Sequence, residues 1–444
     1  MHFQIAVAGT GYVGLVTGVC LAYKGHNVTC VDIDEQKIQL MQSGVSPIYE
    51  DDLKELMAQN EERLAYTTDY HSAYRLADVI FIGVGTPERS DGSANLSFVF
   101  TVAKQIAHSI EKDCLVVVKS TVPIGTNDKV EMLIRKELRH PVRVEVASNP
   151  EFLAQGTAVR DTLYANRIVI GAESQWASNI LQEVYTDYQL PMVITNRRSA
   201  EMIKYASNDF LALKISYINE IANLCDIIGA DVTKVAEGMG LDSRIGSQFL
   251  QAGIGYGGSC FPKDTKALHW MGNLYDYELK TVKAAIEVNE LQKIKLIKKA
   301  RKHYASMEGI TVAVLGLTFK PGTDDLREAP SLQIIPMLLE DGAVVQAWDP
   351  VGTENFLKKN ITPVHYAKTP EEALTGADLC LILTEWPQVK QLTPSVFLET
   401  MRHPVVLDGR NCFPLHTMDS SGVIYESIGR PPVRPATPSL DGNS

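Results

Sequence analysis

A glycine-rich loop near the N-terminus constrains the fold more than any other feature of the chain. Gly9, Gly11 and Gly14 stand between an apolar run, residues 5–8, and a helical run. In a strand-turn-helix unit the first glycine permits the tight turn, the second lets backbone approach a pyrophosphate, and the third allows close helix packing. Asp32 follows at the end of the next β-rich run, about 20 residues on, where a carboxylate binds an adenosine ribose. The pattern predicts an NAD-binding unit, and the alternative is a glycine turn in another α/β protein.

Beyond this loop, short β-rich runs alternate with amphipathic stretches, and after a helical stretch the alternation resumes near residue 310. The β-rich runs are residues 28–33, 79–84, 115–118, 144–147, 168–170, 311–315, 344–348, 377–383 and 405–408. Such alternation predicts parallel sheets with crossover helices on both faces. We therefore predict an α/β fold with two Rossmann-like parallel-sheet domains, joined by a central helical segment that contains a long helix.

The predicted domain boundaries follow these changes of pattern. The first Rossmann-like domain covers residues 1–199, the central helical segment 200–301, and the second Rossmann-like domain 302–428. Residues 429–444 are rich in proline and have few apolar side chains, which predicts a disordered tail.

Charge and composition exclude several classes of function. The formal net charge of -11, with no basic run interleaved with aromatics, argues against nucleic-acid binding. No apolar run approaches the ~20 residues of a membrane span and the N-terminus has no basic leader, so we expect a cytoplasmic protein without a membrane partner. The seven cysteines include no CxxC pair and the ten histidines no HExxH or HxxxH spacing, so we expect reduced thiols and no metal site.

One cysteine stands in surroundings unlike those of the other six. Cys260 lies within Gly255-Tyr-Gly-Gly-Ser-Cys-Phe-Pro-Lys-Asp264, whose small and polar residues are unsuited to a core strand. Lys263 favours the thiolate, which is the nucleophilic form of the side chain. We interpret Cys260 as a candidate nucleophile, with an inert cysteine as the alternative. Asp264, four residues on, is suited to position a water.

Polar residues elsewhere form further candidates. Lys204 and Asn208 are four apart in a helical run, so they share a face that either directs two donors at one oxyanion or is simply solvated. Glu151 follows a predicted strand, where it is an acid or base candidate or a surface carboxylate. Thr86 and Thr121 lie in loops at the carboxyl edge of the predicted sheet, where ligands bind, and plain turns are the alternative.

Three basic residues have two interpretations each. Lys37 lies about one helical turn beyond Asp32 and could touch the adenosine ribose. Arg244 and Lys320 stand in turns, where either could hold a phosphate. Simple solvation is the alternative for all three.

Together these segments resemble the UDP-glucose dehydrogenase family, within the wider group of nucleotide-sugar dehydrogenases. The resemblance runs from residue 3 to about residue 428 and rests on motifs that occur in one order. The motifs are Gly9-Thr-Gly-Tyr-Val-Gly14, Val84-Gly-Thr-Pro87, Lys119-Ser-Thr-Val-Pro123, Asn149-Pro-Glu-Phe-Leu153, Lys204-Tyr-Ala-Ser-Asn208, the cysteine segment, Gly316-Leu-Thr-Phe-Lys-Pro321 with Thr323-Asp-Asp325, and Asp408-Gly-Arg410. The resemblance implies an N-terminal NAD domain, a central segment that forms a homodimer and contributes to catalysis, and a C-terminal UDP-sugar domain.

The resemblance also implies roles for individual residues. It makes Cys260 the nucleophile, Lys204 and Asn208 oxyanion donors, Asp264 and Thr121 water-ordering residues, and Glu151 an acid or base. Contacts with NAD are implied for Gly9, Gly11, Tyr12, Val13, Gly14, Asp32, Lys37, Thr86, Thr121, Gln155, Lys263 and Arg327. Substrate contacts are implied for Glu151, Phe152, Leu153, Lys204, Asn208, Phe249, Tyr256, Gly257, Cys260, Phe319, Lys320 and Arg410, and for Arg244, which would reach across the dimer.

One position departs from the family pattern. Family members often have glutamate where this chain has Gln155, and glutamine cannot exchange a proton near neutral pH. An acid-base role at this position is therefore in doubt, whereas Glu151 is intact.

The reaction implied by the resemblance is a four-electron oxidation of UDP-glucose to UDP-glucuronate by two NAD molecules. It passes through a thiohemiacetal and a thioester on Cys260. Within the group, UDP-N-acetylmannosamine and GDP-mannose are alternative substrates. A single-step NAD dehydrogenase of 3-hydroxy acids, which needs no cysteine, is a rival interpretation from outside the group. A catalytically silent nucleotide-binding or scaffold protein is a second rival.

Overall fold

The computed structural model describes residues 2–435 and divides into two compact units. The first unit runs from the N-terminus to Ser207 and includes Lys266–Tyr277. The second consists of Asn208–Thr265 and the chain from Glu278 onward. The helical segment that the sequence places at 200–301 is therefore shared by both units.

The first unit is built on an eight-stranded sheet. Its strands are β1 (Gln4–Ala8), β2 (Asn27–Val31), β3 (Leu64–Thr67), β4 (Val79–Ile82), β5 (Cys114–Val118), β6 (Val144–Ser148), β7 (Ile168–Gly171) and β8 (Met192–Thr195). Their order is β3-β2-β1-β4-β5-β6-β7-β8. Every neighbouring pair is parallel except β6 with β7. This single antiparallel pair departs from the all-parallel sheet that the alternation predicts.

Helices cover both faces of this sheet. They are α1 (Tyr12–Tyr23), α2 (Glu35–Gln42), α3 (Leu53–Gln59), α4 (Tyr70–Arg75), α5 (Ser97–Ser109), α6 (Thr126–Glu137), α7 (Ala158–Leu163) and α8 (Gln175–Val184), with 3-10 turns at Glu61–Arg63 and Thr186–Tyr188. The core lies on both sides of the strands, because successive side chains point to opposite faces. On β1, Ile5 and Val7 enter one apolar cluster, while Ala6 and Ala8 enter the other.

The predicted long helix is α9 (Arg197–Ile228), which has 32 residues. It begins in the first unit and ends in the second. The helices that follow it are α10 (Val232–Gly240), α11 (Phe261–Leu274), α12 (Lys280–Lys293) and α13 (Lys295–His303).

A six-stranded parallel sheet forms the rest of the second unit. Its strands are β9 (Thr311–Leu315), β10 (Val344–Trp348), β11 (His365–Tyr366), β12 (Leu379–Ile382), β13 (Val405–Asp408) and β14 (Ile424–Glu426). Its helices are α14 (Ser331–Glu340), α15 (Thr353–Leu357), α16 (Pro370–Leu374), α17 (Pro387–Lys390), α18 (Pro394–Thr400) and α19 (Leu415–Met418). Counted from its own first strand, the order β11-β10-β9-β12-β13-β14 is the 3-2-1-4-5-6 order of a Rossmann sheet. The prediction of two Rossmann-like sheets and a long helix is confirmed.

The segment predicted as a tail is structured over the part that the model describes. Val433 exchanges two backbone hydrogen bonds with Tyr425, and Arg430 is buried with its guanidinium bonded to the Tyr425 hydroxyl at 2.6 Å. The start predicted at residue 429 is therefore wrong, because the arginine finds buried acceptors that composition does not reveal. The rest of the predicted tail, 436–444, lies outside the described residues.

The backbone is closely packed around Gly14 at the start of α1. A Cβ on Gly14 would lie 1.9 Å from the carbonyl oxygen of Gly9, whereas one on Gly11 would have nothing within 4 Å. We expect Gly14→Ala to lower the free energy of unfolding by about 2 kcal/mol or more, because backbone must move. Gly11→Ala, the matched control, should lower it by about 1 kcal/mol at most, since alanine is only a poorer N-cap than glycine. Denaturant unfolding of both variants measures this, and equal stabilities would refute it.

Candidate active site

The loop after β1 presents open backbone at the start of α1. Gly9 has a φ of +94° and donates its N–H to the carbonyl of Val31 at 2.7 Å, which closes the turn. Gly14 packs against Gly9, while Gly11 is exposed and uncrowded. A helix N-terminus with an uncrowded glycine in front of it is suited to receive a pyrophosphate.

Asp32 lies directly after β2 and faces this loop. Its Oδ2 accepts hydrogen bonds from the Thr10 N–H at 2.8 Å and the Thr10 hydroxyl at 2.6 Å, and its Oδ1 accepts the Asp34 N–H at 3.1 Å. Burial raises the pKa of the Asp32 carboxyl, but these hydrogen bonds outweigh it and hold the pKa below its usual value. The side chain is thus an ionised acceptor, which suits a ribose hydroxyl and repels a 2'-phosphate.

The two threonine loops meet at the carboxyl ends of β4 and β5. The Thr86 hydroxyl donates to the Thr121 carbonyl at 2.8 Å, and the Ser120 hydroxyl donates to the Val84 carbonyl at 2.6 Å. This is the sheet edge at which ligands bind in such folds.

The other residues assigned to NAD in the first unit lie around the same edge. Tyr12 and Val13 begin α1, Lys37 lies on α2 and acts electrostatically on Asp32, and Gln155 is buried just after β6. Together with the open Gly11 and the anchored Asp32, these residues fit a bound dinucleotide.

Glu151 and Lys204 form a buried ion pair in the first unit. The Lys204 Nζ lies 2.9 Å from the Glu151 Oε1, and their side chains are only 3% and 5% exposed. The Phe152 ring flanks the ammonium at 5.4 Å, and the Leu153 N–H donates to the second oxygen of Glu151 at 2.8 Å. The surface interpretations of both charged residues are therefore wrong, because each is held by an opposite charge away from water.

The segment carrying Glu151 is anchored by a lysine that sequence reasoning missed. Lys119 is buried and donates to the Asn149 side-chain oxygen at 2.9 Å, which also accepts the Tyr185 hydroxyl at 2.6 Å. Burial lowers the pKa of Lys119 to about 8, Glu151 opposes the change, and Lys204 adds to it. A lysine at the end of a fully buried strand was the available signal.

In the second unit, Asp264 is the centre of a polar cluster one turn after Cys260. Asp264 is 1% exposed, accepts the Asn208 side-chain N–H at 2.7 Å and pairs with the Lys263 Nζ at 2.6 Å. Its backbone N–H donates to the Cys260 carbonyl at 2.8 Å. Cys260 is partly exposed, with the Ser259 hydroxyl 3.7 Å from its sulfur. The predicted nucleophile therefore lies directly before α11, and the water-positioning acid lies in the first turn of that helix.

The glycines before Cys260 allow its loop to pack closely on the segment after β9. A Cβ on Gly257 would lie 2.5 Å from the Glu328 carbonyl oxygen, and one on Gly258 would lie 2.7 Å from the Phe319 ring. The Gly258 N–H donates to the Arg327 carbonyl at 2.7 Å. Larger residues would push these two segments apart.

Arg410 joins the same two segments. Its guanidinium donates to the carbonyls of Leu383 at 2.8 Å, Gly255 at 2.9 Å and Phe319 at 3.1 Å. Sequence reasoning implied a substrate contact, but it missed this role in holding the loops, because the acceptors are backbone groups distant along the chain.

The remaining assigned residues of the second unit make local contacts of their own. Tyr256 packs edge-on against the Phe261 ring, as does Phe249, while Lys320 lies over the Phe319 ring. Arg327 pairs with Asp325 at 2.6 Å. Arg244 is not brought to the cluster within its unit, since its side chain is 87% exposed and pairs with Asp242.

The described residues contain neither a metal centre nor a membrane-spanning helix. Within residues 2–435, no group of three or more His, Cys, Asp or Glu side chains is placed to hold a metal ion. In the same part of the chain, no helix combines the length and apolarity needed to cross a bilayer.

Comparison with known proteins gives matches along nearly the whole chain. Residues 3–189, 198–291 and 313–414 match, respectively, the NAD binding, central and UDP binding domains of the UDP-glucose/GDP-mannose dehydrogenase family. The UDP-glucose 6-dehydrogenase YwqF of Bacillus subtilis is 50% identical over 98% of this chain and 99% of its own length.

Two solved structures extend the comparison. A UDP-glucose dehydrogenase from Pyrobaculum islandicum is 37% identical, with a TM-score of 0.92 over 97% of this chain and 98% of its own. The UDP-N-acetyl-mannosamine dehydrogenase Cap5O from Staphylococcus aureus is 27% identical, with a TM-score of 0.79 over 96% of this chain and 98% of its own. The chain therefore belongs to the UDP-glucose/GDP-mannose dehydrogenase family.

Proposed function

We propose that this chain oxidises UDP-glucose to UDP-glucuronate. Each sugar consumes two NAD and one water, and releases two NADH and three protons. The observation that carries the proposal is the cluster of Asn208, Lys263 and Asp264 one helical turn after the partly exposed Cys260. A candidate nucleophile beside a fixed carboxylate suits a reaction with a covalent step and a hydrolytic step. The names of the more similar relatives favour UDP-glucose as the sugar nucleotide.

NAD is the cofactor, and the loop after β1 is the part of the chain that would hold it. Gly9, Gly11 and Gly14 would receive the pyrophosphate at the start of α1, and Asp32 would accept hydrogen bonds from the adenosine ribose. When bound, the nicotinamide supplies a hydride acceptor.

The first oxidation converts the sugar's primary alcohol to an aldehyde. The carbon loses a hydride, and the hydroxyl proton passes to a base, for which Glu151 is the nearest candidate to Lys204. Lys204 and Asn208 would stabilise the negative charge that develops on the oxygen, each donor contributing about 3 kcal/mol when well placed.

Cys260 then keeps the aldehyde on the protein. Its thiolate adds to the carbonyl carbon, and the oxygen takes up a proton to give a thiohemiacetal. Loss of a second hydride and of the hydroxyl proton leaves a thioester. Water, which Asp264 and Thr121 would order, attacks the thioester carbon and releases the carboxylate and the thiol.

Gln155 does not take part in proton transfer in this scheme. It is buried and is an amide at a position where family members often carry an acid. Glu151, buried four residues earlier and paired with Lys204, provides the carboxylate of this segment.

We also propose that the chain forms a homodimer through α9 and works in the cytoplasm. Phe210, Tyr217 and Leu224 recur every seven residues on α9 and are 61%, 47% and 51% exposed, which gives an apolar stripe for a second copy. Arg244 is 87% exposed and pairs with its neighbour Asp242, so we propose that it reaches the other subunit's substrate, as the family resemblance implies. A reduced catalytic thiol is maintained in the cytoplasm.

The stoichiometry of NADH tests the reaction. We expect about two NADH per UDP-glucose, because the aldehyde is retained and oxidised again. UDP-N-acetylmannosamine and GDP-mannose, offered separately at equal concentration, should be turned over at least roughly tenfold more slowly, since specificity requires a difference of about 1.4 kcal/mol. Absorbance of NADH at the end of the reaction, against sugar consumed, gives the ratio. One NADH per sugar would contradict the covalent scheme, and a preference for another sugar would reassign the substrate.

Replacement of the nucleophile tests the covalent step. Cys260→Ser should reduce steady-state turnover by roughly a thousandfold, because a hydroxyl is a far weaker nucleophile at neutral pH. Mass spectrometry of the quenched wild-type enzyme should show the sugar attached to the protein, and the variant should lack the thioester. Cys412→Ser is the matched control, since Cys412 is also incompletely buried and has no role in the proposed reaction. Wild-type turnover by Cys260→Ser would end the proposal.

A further inference from the structure

Asp209 is a buried carboxyl without a hydrogen-bonding partner. It follows Asn208 on α9, is 6% exposed, and neither of its oxygens has a partner among residues 2–435. Buried polar groups are nearly always hydrogen-bonded, and a buried charge without a partner is far more costly still. Asp209 therefore lowers the stability of the fold, and it lies directly beside Asn208 of the active-site cluster. Costly side chains of this kind concentrate at functional sites.

The titratable groups that act on Asp209 come from two neighbouring segments. Asp264 on α11 contributes a negative charge, with Lys263 bonded to it. Tyr256 lies on the loop before α11. Burial is the main reason that the pKa of Tyr256 rises to about 12, and the charge of Asp209 raises it further. Tyr256 is therefore neutral, and the lysine is already engaged by Asp264.

Asp209 consequently holds a proton at neutral pH. Burial, and then the charge of Asp264, raise the pKa of Asp209 to about 8. The protonated side chain adds no charge to the cluster, whereas the ionised side chain would place a second carboxylate near Asp264 in a site of low dielectric constant.

We propose that Asp209 is a positioning residue that acts through Asp264 and supports turnover only while it carries its proton. The inference rests on the proposed function, because it concerns the anionic groups of that reaction. Ionised Asp209 would oppose formation of the Cys260 thiolate and of each negatively charged oxygen. It would also disturb the bond from Asn208 to Asp264, which orients the amide donor.

The pH dependence of turnover tests the proposal. With UDP-glucose and NAD saturating, wild-type kcat should fall roughly tenfold as the pH rises from about 7 to about 9.5. Asp209→Asn cannot ionise, so its kcat should stay within about threefold over the same range while matching wild type near pH 7. Asp209→Ala serves as a second variant because the wild-type carboxyl makes no hydrogen bond that alanine would break.

A matched control separates this effect from a change of net charge. Glu340 is an exposed acid on α14 of the same unit, so Glu340→Gln removes one carboxylate away from both the cluster and the apolar stripe of α9. It should keep the wild-type alkaline decline. Superimposable profiles for wild type, Asp209→Asn and Asp209→Ala would overturn the inference, even if UDP-glucose is confirmed as the substrate.

Thermal unfolding gives a readout that needs no substrate. The folded pKa lies above the unfolded value of 3.8, so the folded state binds more protons between these two values. The contribution of the Asp209 proton to the free energy of unfolding is present in full at low pH and is lost as the pH rises to about 8. The difference in Tm, Asp209→Asn minus wild type, should grow from about pH 5 to about pH 8 and then level off. A difference that does not change with pH would show that Asp209 does not hold the proton, whatever the substrate proves to be.

Discussion

The candidate site in the second unit depends on the contacts that neutralise the buried carboxylate of Asp264. A carboxylate that is 1% exposed is tolerable only with an opposite charge and good hydrogen bonds. Lys263 supplies the charge and Asn208 supplies an amide from α9, so the carboxylate fixes α11 against α9. Cys260 begins the same turn and accepts the Asp264 N–H at its carbonyl, so the contacts that hold Asp264 also hold Cys260.

A second constraint recurs in both sheets. Gly9 and Gly316 have φ of +94° and +95°. Each donates its N–H at 2.7 Å to the carbonyl of the last residue of the strand that follows, Val31 of β2 and Trp348 of β10 respectively. Asp32 and Asp349 both accept hydrogen bonds from the loop after the first strand. Asp349 also accepts from the indole of Trp386, along with two further backbone N–H groups, so its capacity is used within the protein. The second sheet therefore shares the turn, but its aspartate accepts more hydrogen bonds from the protein than Asp32 does and has less capacity left for a ribose.

The sequence predicts those parts of the fold and site that local pattern controls. The ten strands in the interiors of the two sheets are the ones that apolar runs reveal. The four edge strands β3, β8, β11 and β14 have two to four residues each, and all but β14 are largely unburied. Cys260 and Asp264 can be recognised as candidates from the sequence, because they are four residues apart within one short motif. The pairing of Lys204 with Glu151 and the three carbonyls around Arg410 join residues distant in sequence, which spacing cannot reveal.

Each unit has a buried cluster with one balanced ion pair and one surplus ionisable group. In the first unit Lys204 pairs with Glu151, and Lys119 is the surplus cation. In the second unit Lys263 pairs with Asp264, and Asp209 is the surplus acid. Burial shifts the pKa of each surplus group to about 8, downward for the lysine and upward for the aspartic acid. Desolvation thus pushes both towards their neutral forms, but the outcome near pH 7 differs. Asp209 is mostly protonated there, so its cluster keeps the charge of one compensated pair. Lys119 is also mostly protonated, so the first-unit cluster keeps one positive charge beyond its ion pair.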